Sequence, residues 1–282
     1  MSDVLVLAIA AAYAAAYLAG VRAVPARGHR PWPALRTASF LTGLAVAALA
    51  LASPLAERAD ERLAAHMWQH LALTLLAAPL LVGGAPVALA LQATAGTVHR
   101  SLVTLVRSRW VRVVTHPLVT WTAFAATMAV THLTGWYDAA LRDGPLHGLE
   151  HAAYLLSALL FWAPVVGANP LRQIRSWIGR TIYLVLAMVP MSTVAVMLVY
   201  AQHVRYPSYA AAARADGTSA LLDQQAGGDI MWVAGSLAMV AATVGIGWQA
   251  LVREERRQRA LDAIEDAAGS PPAPGPTTGV TA

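Results

Sequence analysis

The stretch His147-Gly148-Leu149-Glu150-His151 opens an apolar run, Ala152 to Val166, and its reading decides the fold. Crossing a bilayer takes about 20 mostly apolar residues. The run therefore predicts a membrane-spanning helix with the histidines on its first turns. Residues three and four apart share a helix face, so His147, Glu150 and His151 point the same way. Earlier in the chain, His66-Met67-Trp68-Gln69-His70 repeats the arrangement at the head of another apolar run. Two histidine pairs, each one turn apart at the mouth of such a helix, read first as a metal site.

Composition supports the membrane reading. Of 282 residues, 57% are hydrophobic and 12% are charged, whereas soluble domains carry about 25% charged residues. Cysteine is absent, which excludes disulfides, thiolate metal sites and dithiol redox chemistry. Any metal must therefore use His, Met, Asp or Glu. All twenty basic residues are arginine, and they fall at the ends of apolar runs, so the positive net charge does not signal nucleic-acid binding. The chain begins Met-Ser-Asp with no basic stretch before its first apolar run, which predicts a retained span and not a cleaved signal.

Seven runs meet the length rule, at roughly 3–22, 37–56, 66–91, 117–135, 148–168, 177–200 and 229–252. The fold class predicted is an all-α integral membrane protein with seven transmembrane helices. Arginine sets its orientation. Fifteen arginines follow the first, third, fifth and seventh runs, and five (Arg58, Arg62, Arg142, Arg205 and Arg214) lie on the other side. The arginine-rich side is cytoplasmic, so the N-terminus is expected outside and the C-terminus inside. One membrane domain should cover 1–260, followed by a disordered Pro/Gly-rich tail over 261–282, where Gly269 to Ala282 holds a Ser-Pro-Pro-Ala-Pro-Gly-Pro run. Pro79 and Pro86 predict a kink or break in the third span, and Pro190 a kink in the sixth. Ala93 to Val114 interleaves apolar residues with arginines, as an amphipathic helix on the inner leaflet would or as an extension of span three.

On this topology six of the nine histidines lie on the outer side: His66, His70, His132, His147, His151 and His203. An i, i+4 pair lets both imidazoles hold one ion. If the two helices are neighbours, four imidazoles and a carboxylate converge, with His132 at the same depth. The candidate metal ligands are thus His66, His70, His132, His147 and His151, while His203 reads as a loop residue. Neutral imidazole suits copper, zinc, iron or nickel. Glu150, Asp138, Asp223 and Asp229 stand near outer helix ends, where a carboxylate can orient a ligating imidazole or stabilise a helix N-terminus. Met67 and Met231 lie at that depth too. Methionine is a gap-filler by default and a soft ligand for Cu(I) by chemistry.

His147-x-x-Glu150-His151 also fits the H-x-x-E-H pattern of inverted zinc metalloproteases, in which the pair binds zinc and the Glu activates water. No Glu recurs before Glu254 to complete such a site, so a membrane zinc hydrolase is the alternative reading. Transport of haem or copper is a third. It needs polar residues across the bilayer centre, where Leu73 to Ala78 and Leu155 to Phe161 offer only Thr74 and Ser157.

Three groups of residues carry a family resemblance. They are His66-Met-Trp-Gln-His70 with Ala78-Pro-Leu-Leu-Val-Gly-Gly-Ala-Pro86; Trp136-Tyr-Asp-Ala-Ala-Leu141 with His147-Gly-Leu-Glu-His151 and Leu160-Phe-Trp-Ala-Pro164; and Asp223-Gln-Gln-Ala-Gly-Gly-Asp-Ile-Met-Trp232. In this order they resemble the seven-helix cytochrome c oxidase assembly factors of the CtaG type, from about Ala64 to Arg253. The resemblance implies a multi-pass bacterial plasma-membrane protein that helps build a haem–copper oxidase by handling copper, with an oxidase subunit as partner. It marks His66, Gln69, His70, Glu150, His151, Asp223, Gln224, Gln225 and Met231. Ala234 stands where a proline is expected and Ala226 where an aliphatic residue is, both at packing positions. Glu150, Asp138, Met67, Gln69, Asp223, Gln225 and Met231 are expected to support the histidines.

Overall fold

A computed structural model describes residues 3–215 and 217–269, which are helical with short connections and no strand among them. Helix α1 covers Asp3–Ala26 and α2 covers Ala34–Leu51. A short α3, Pro54–Glu61, starts where Ser53 Oγ accepts the Leu55 N–H at 3.1 Å. The third apolar run is assembled from α4 (Leu63–Leu71), a π turn over Ala72–Ala77, α5 (Ala78–Gly83) and α6 (Pro86–Ala93). Then come α7 (Gly96–Arg107), α8 (Arg109–Val114), α9 (Pro117–Leu133) and α10 (Trp136–Arg142). Helices α11 (Gly144–Val166), α12 (Trp177–Val199), α13 (Pro207–Ala215) and α14 (Ala220–Gly269) complete the chain. Asp143 begins α11 by accepting the Leu146 N–H at 3.1 Å, and Gly167 ends it in the left-handed region at φ 64°. That places His147, Glu150 and His151 on the first two turns.

Among the described residues six helices are long and apolar enough to cross a membrane: Asp3–Ala26, Ala34–Leu51, Leu63–Ala93, Gly144–Val166, Trp177–Val199 and Ala220–Ile264. The expected run at 117–135 forms α9, a shorter helix of 17 residues that packs on α11 and α12. Large apolar side chains such as Leu49, Leu156, Ile182, Val189 and Leu237 face outward, as they would toward lipid tails. The last helix starts earlier than expected, at Ala220, so Asp223, Gln224 and Gln225 lie on its first turns. It runs to Gly269, and the Ser-Pro-Pro run lies outside the described residues. The stretch after Ala93 forms two helices, α7 and α8, with no buried residue in either. Helix α12 continues unbroken through Pro190.

The third run breaks as its prolines predict, and neighbouring side chains bond the backbone at the break. Pro79 has no N–H to offer the Leu75 carbonyl and its ring crowds that position; the helix widens into the π turn there. Trp162 Nε1 donates to the Thr74 carbonyl at 2.8 Å and Thr74 Oγ1 to the His70 carbonyl at 2.7 Å. Before Pro86 the chain turns through Ala85 at φ 53°. Asn169 Oδ1 then accepts the N–H groups of Val87 and Ala88 at 3.0 and 3.2 Å, and Tyr17 donates to the Gly84 carbonyl at 2.6 Å. Irregular backbone at membrane depth survives only where neighbours satisfy it in this way. Gly84 permits the close approach of α2, since a Cβ there would stand 2.5 Å from Phe40 Cβ.

The main core joins α4, α9, α11, α12 and α14 around Met67, Phe124, Phe161, Leu184 and Met191. A second cluster ties α1 and α2 to the break through Tyr17, Trp32, Phe40 and Leu81. This packing sets α4 against α14 and α3 and lays α11 along the π turn and α5, and the histidine rings at the heads of α4 and α11 come together.

Candidate metal centre

The two histidine pairs meet. On α4 the His66 and His70 rings lie 4.3 Å apart, on α11 the His147 and His151 rings 4.4 Å, and across the helices His66 is 5.2 Å from His147 and 5.7 Å from His151. Two ligand sets result, each with its nitrogen or oxygen atoms within 4.8 Å of one another: His66, His147 and His151 form one, and His66, His70 and Glu150 the other. His66 belongs to both. The second set is wholly buried, whereas His147 and His151 are half-buried.

Hydrogen bonds fix which atoms of these rings are free. Tyr209 on α13 donates its hydroxyl hydrogen to the Ala59 carbonyl at 3.0 Å. Its oxygen must then accept from His66 Nδ1–H, 2.9 Å away, so His66 is the tautomer whose Nε2 carries the lone pair. That lone pair faces His70 Nε2 at 2.9 Å. That contact is a hydrogen bond between the rings; imidazole–metal bonds of about 2.0–2.1 Å put tetrahedral ligand nitrogens about 3.3 Å apart, so an ion replacing it would need only a small shift of either ring. His151 Nε2 meets Gln69 Oε1 at 3.1 Å, and Gln69 in turn donates to the Ala50 carbonyl at 2.8 Å.

Glu150 is the unusual group. It is 0% exposed, and neither carboxylate oxygen has a hydrogen-bond partner among the described residues. An ionised carboxylate left so costs several kcal/mol, and a cation among His66, His70 and Glu150 would remove that cost. The donor set therefore fits a cation through the chemistry and spacing of its residues. His70 Nδ1 and His147 Nε2 are likewise buried and unpartnered. A cavity of about 120 Å³ leads in from the surface, lined by Asp3, Glu57, Asp60, Gln69, His147 and His151. Asp60 Oδ1 lies 3.7 Å from His147 Nδ1 at its mouth.

The remaining expected residues take other places. His132 is buried on α9, its Nδ1 3.1 Å from the Tyr206 hydroxyl and its ring stacked 5.2 Å from Tyr137, and it joins neither ligand set. The supporting carboxylates touch no imidazole. Asp138 accepts the Ser208 N–H at 2.9 Å and pairs with Arg142. Burial alone would raise its carboxyl, but the Ser208 bonds and Arg142 together hold it below the usual range. Asp223 accepts the Leu63 N–H at 2.7 Å and so caps α4. Gln224 and Gln225 bond the loop before α13 through Arg205 N, the His203 carbonyl and the Ala201 carbonyl. Glu150, expected as support, lies among the ligand atoms. It groups with His66 and His70, while its motif partners His147 and His151 group with His66; nothing in this arrangement adds support for a zinc hydrolase.

Sequence reasoning missed the tyrosines. Tyr209 orients His66, Tyr206 meets His132, and Tyr137 packs against both rings. Burial pushes the phenols of Tyr206 and Tyr209 up, so they remain neutral hydrogen-bonding groups. The Tyr206-Pro-Ser-Tyr209 run was the available signal.

Fold and site together define a class: a multi-pass helical membrane protein with a buried histidine–carboxylate cluster at one end of its bundle. Within that class, the model of the cytochrome c oxidase caa3 assembly factor family matches residues 15–253, and the chain belongs to that family. Uncharacterized proteins of Mycobacterium bovis and Mycobacterium tuberculosis are each 26% identical to it over 264 residues, covering 90% of this chain and 40% of the relative. One of Mycobacterium leprae is 26% identical over 288 residues, covering 94% and 42%. The chain thus spans about 40% of the length of these relatives. No solved structure matches it.

Proposed function

We propose that the chain is a cytochrome c oxidase assembly factor of a bacterial plasma membrane, holding copper as cargo at the histidine–carboxylate centre and delivering it to an oxidase subunit. The observation that carries this is Glu150. Two buried carboxylate oxygens without partners, beside two imidazole nitrogens 2.9 Å apart, make a site a cation would complete. Family membership supplies the assembly role, and copper is the metal such a haem–copper oxidase needs. Detergent-purified protein should take up one equivalent of Cu(II) at this centre, with nitrogen hyperfine coupling in its EPR spectrum. His70→Ala combined with His151→Ala should abolish that uptake, and Glu150→Gln should weaken it at least about tenfold, on the scale of lost metal-site partners. Undiminished uptake by the double variant would sink the assignment.

The centre serves this role if it faces away from the cytosol. The arginine distribution supports seven crossings with the N-terminus outside. Helix α9 is then the fourth crossing. Its 17 residues rise about 26 Å at 1.5 Å each, close to a hydrocarbon core of about 30 Å. Alkaline phosphatase fused after Glu61 or Asp143 should be active, and green fluorescent protein fused after Arg107 or Arg259 should fluoresce. The reverse pattern would invert the topology and place the histidines in the cytosol.

A further inference from the structure

Behind the histidine–carboxylate centre lies a second, smaller space of about 20 Å³, room for about one water-sized occupant. Three of the residues lining it are methionines from three different helices: Met67 on α4, Met128 on α9 and Met231 on α14. Two are histidines, His70 and His132. None of these five is more than 6% exposed. Their spacing in sequence is regular. Met67 and His70 are three apart on α4, Met128 and His132 four apart on α9, so each pair presents one helix face. On α14 the face carrying Met231 also carries Gly227. A Cβ at Gly227 would stand 3.1 Å from Leu63 Cγ and 3.3 Å from Met67 Cγ, so the glycine lets α14 close on α4 and bring the methionines of both helices to one space.

We infer that this chamber is a soft-cation site, taking a monovalent ion of the Cu(I) class through the thioethers of Met67, Met128 and Met231 together with His70 and His132. Thioether sulfur is a soft donor that selects Cu(I) over harder divalent ions. Both histidines keep ring nitrogens for it. His70 Nδ1 is buried without a partner, and His132 is held by Tyr206 through Nδ1, leaving Nε2. No carboxylate lines the space. Ion desolvation rises with the square of the charge, so a buried space lined by neutral donors admits a single positive charge far more readily than a double one. The centre behind Glu150 offers the opposite chemistry, a carboxylate and imidazoles open to an acidic mouth. His70 forms a wall of both, its Nε2 turned to His66; a neutral imidazole has one lone pair, so His70 serves one position at a time. The inference deepens the copper reading by giving the chain two positions of different hardness, and it rests on that reading only for the identity of the cargo.

The test is X-ray absorption of the detergent-purified protein after anaerobic Cu(I) loading, with Ag(I) as a redox-inert surrogate and Co(II) as the hard control. Wild type should show sulfur scattering around Cu(I). Met128→Leu with Met231→Leu, a swap that conserves shape and costs little in packing, should lose that scattering and one equivalent of Cu(I) and Ag(I) while keeping Co(II). If the double variant does not fold, Met128→Leu and Met231→Leu singly should each lower the sulfur count by one. Cu(I) seen with only nitrogen or oxygen neighbours in wild type, or unchanged scattering in the variants, overturns the chamber. Sulfur-bound Cu(I) in a protein that takes up no Co(II) or Cu(II) keeps the chamber and removes the outer centre. Uptake of Co(II) without any Cu(I)–sulfur contact does the reverse.

Discussion

At the scale of single residues, the centre depends on which nitrogen of His66 is free, and Tyr209 decides it. The hydroxyl is committed as a donor to the Ala59 carbonyl, so it can only accept from His66 Nδ1. Tyr209→Phe removes both bonds while keeping the ring. Such partners of a metal-ligating histidine are worth about 10–100-fold in metal affinity, and we expect Cu(II) uptake to weaken by that order. The Ala59 carbonyl, freed in a buried position, should cost about 1–3 kcal/mol of stability in addition. A titration that leaves affinity unchanged in a variant of lowered melting temperature would make Tyr209 a packing residue and no more. The pairing of His66 with Tyr209 spans 143 positions, and nothing in the local pattern of α13 announces it. The i, i+4 histidine pairs, by contrast, are written in local spacing and were readable without coordinates. Glu150 lies between those extremes. Its face of α11 follows from spacing, but its place among the ligand atoms depends on how far α11 is rotated against α4, which only packing determines.

At the scale of elements, the third run shows how a broken helix is made tolerable, and Asn169 is the piece that does it. Its side chain accepts two N–H groups at the start of α6 and lies 3.5 Å from the Val82 carbonyl, which its Nδ2 approaches as donor. Asn169→Ala leaves the N–H groups of the half-buried Val87 and Ala88 without this acceptor, at about 1 kcal/mol for each, the low end for an unmet donor. The expected result is a lowered melting temperature in detergent with metal uptake kept, because the break lies beyond the π turn from His70. A loss of uptake matching the loss of stability would show that the break itself positions the centre. The two prolines made this break legible in the sequence. The π turn was not legible, because Ala72–Ala77 is an unremarkable apolar run whose widening follows from Pro79 and from the Trp162 donor on another helix. Helix α14 is a case of the opposite kind. Its apolar stretch was clear, but its start at Ala220 was hidden by polar residues, Asp223 to Gln225, that bond to neighbouring segments.

At the scale of the whole molecule, the charge at the cavity mouth bears on how an ion would reach the proposed centre. The mouth of the 120 Å³ cavity is lined by Asp3, Glu57 and Asp60, all exposed. A cleft lined by one sign of charge raises the local concentration of counter-ions and their rate of entry. The carboxylates at the mouth should therefore act on association and not on retention, since the ligand atoms lie deeper, at His66, His70, Glu150 and His151. Glu57→Gln with Asp60→Asn should slow Cu(II) association, followed by quenching of tryptophan fluorescence in a stopped-flow instrument, and leave the final stoichiometry at one. Screening sharpens the test. The Debye length falls from about 30 Å at 0.01 M salt to about 10 Å at 0.1 M, so the wild-type rate should drop with added salt and converge on that of the variant. Rates that differ by the same factor at both salt concentrations would mean that Asp60 or Glu57 binds the ion directly, which moves the first ligand of the path out to the mouth, beside His147.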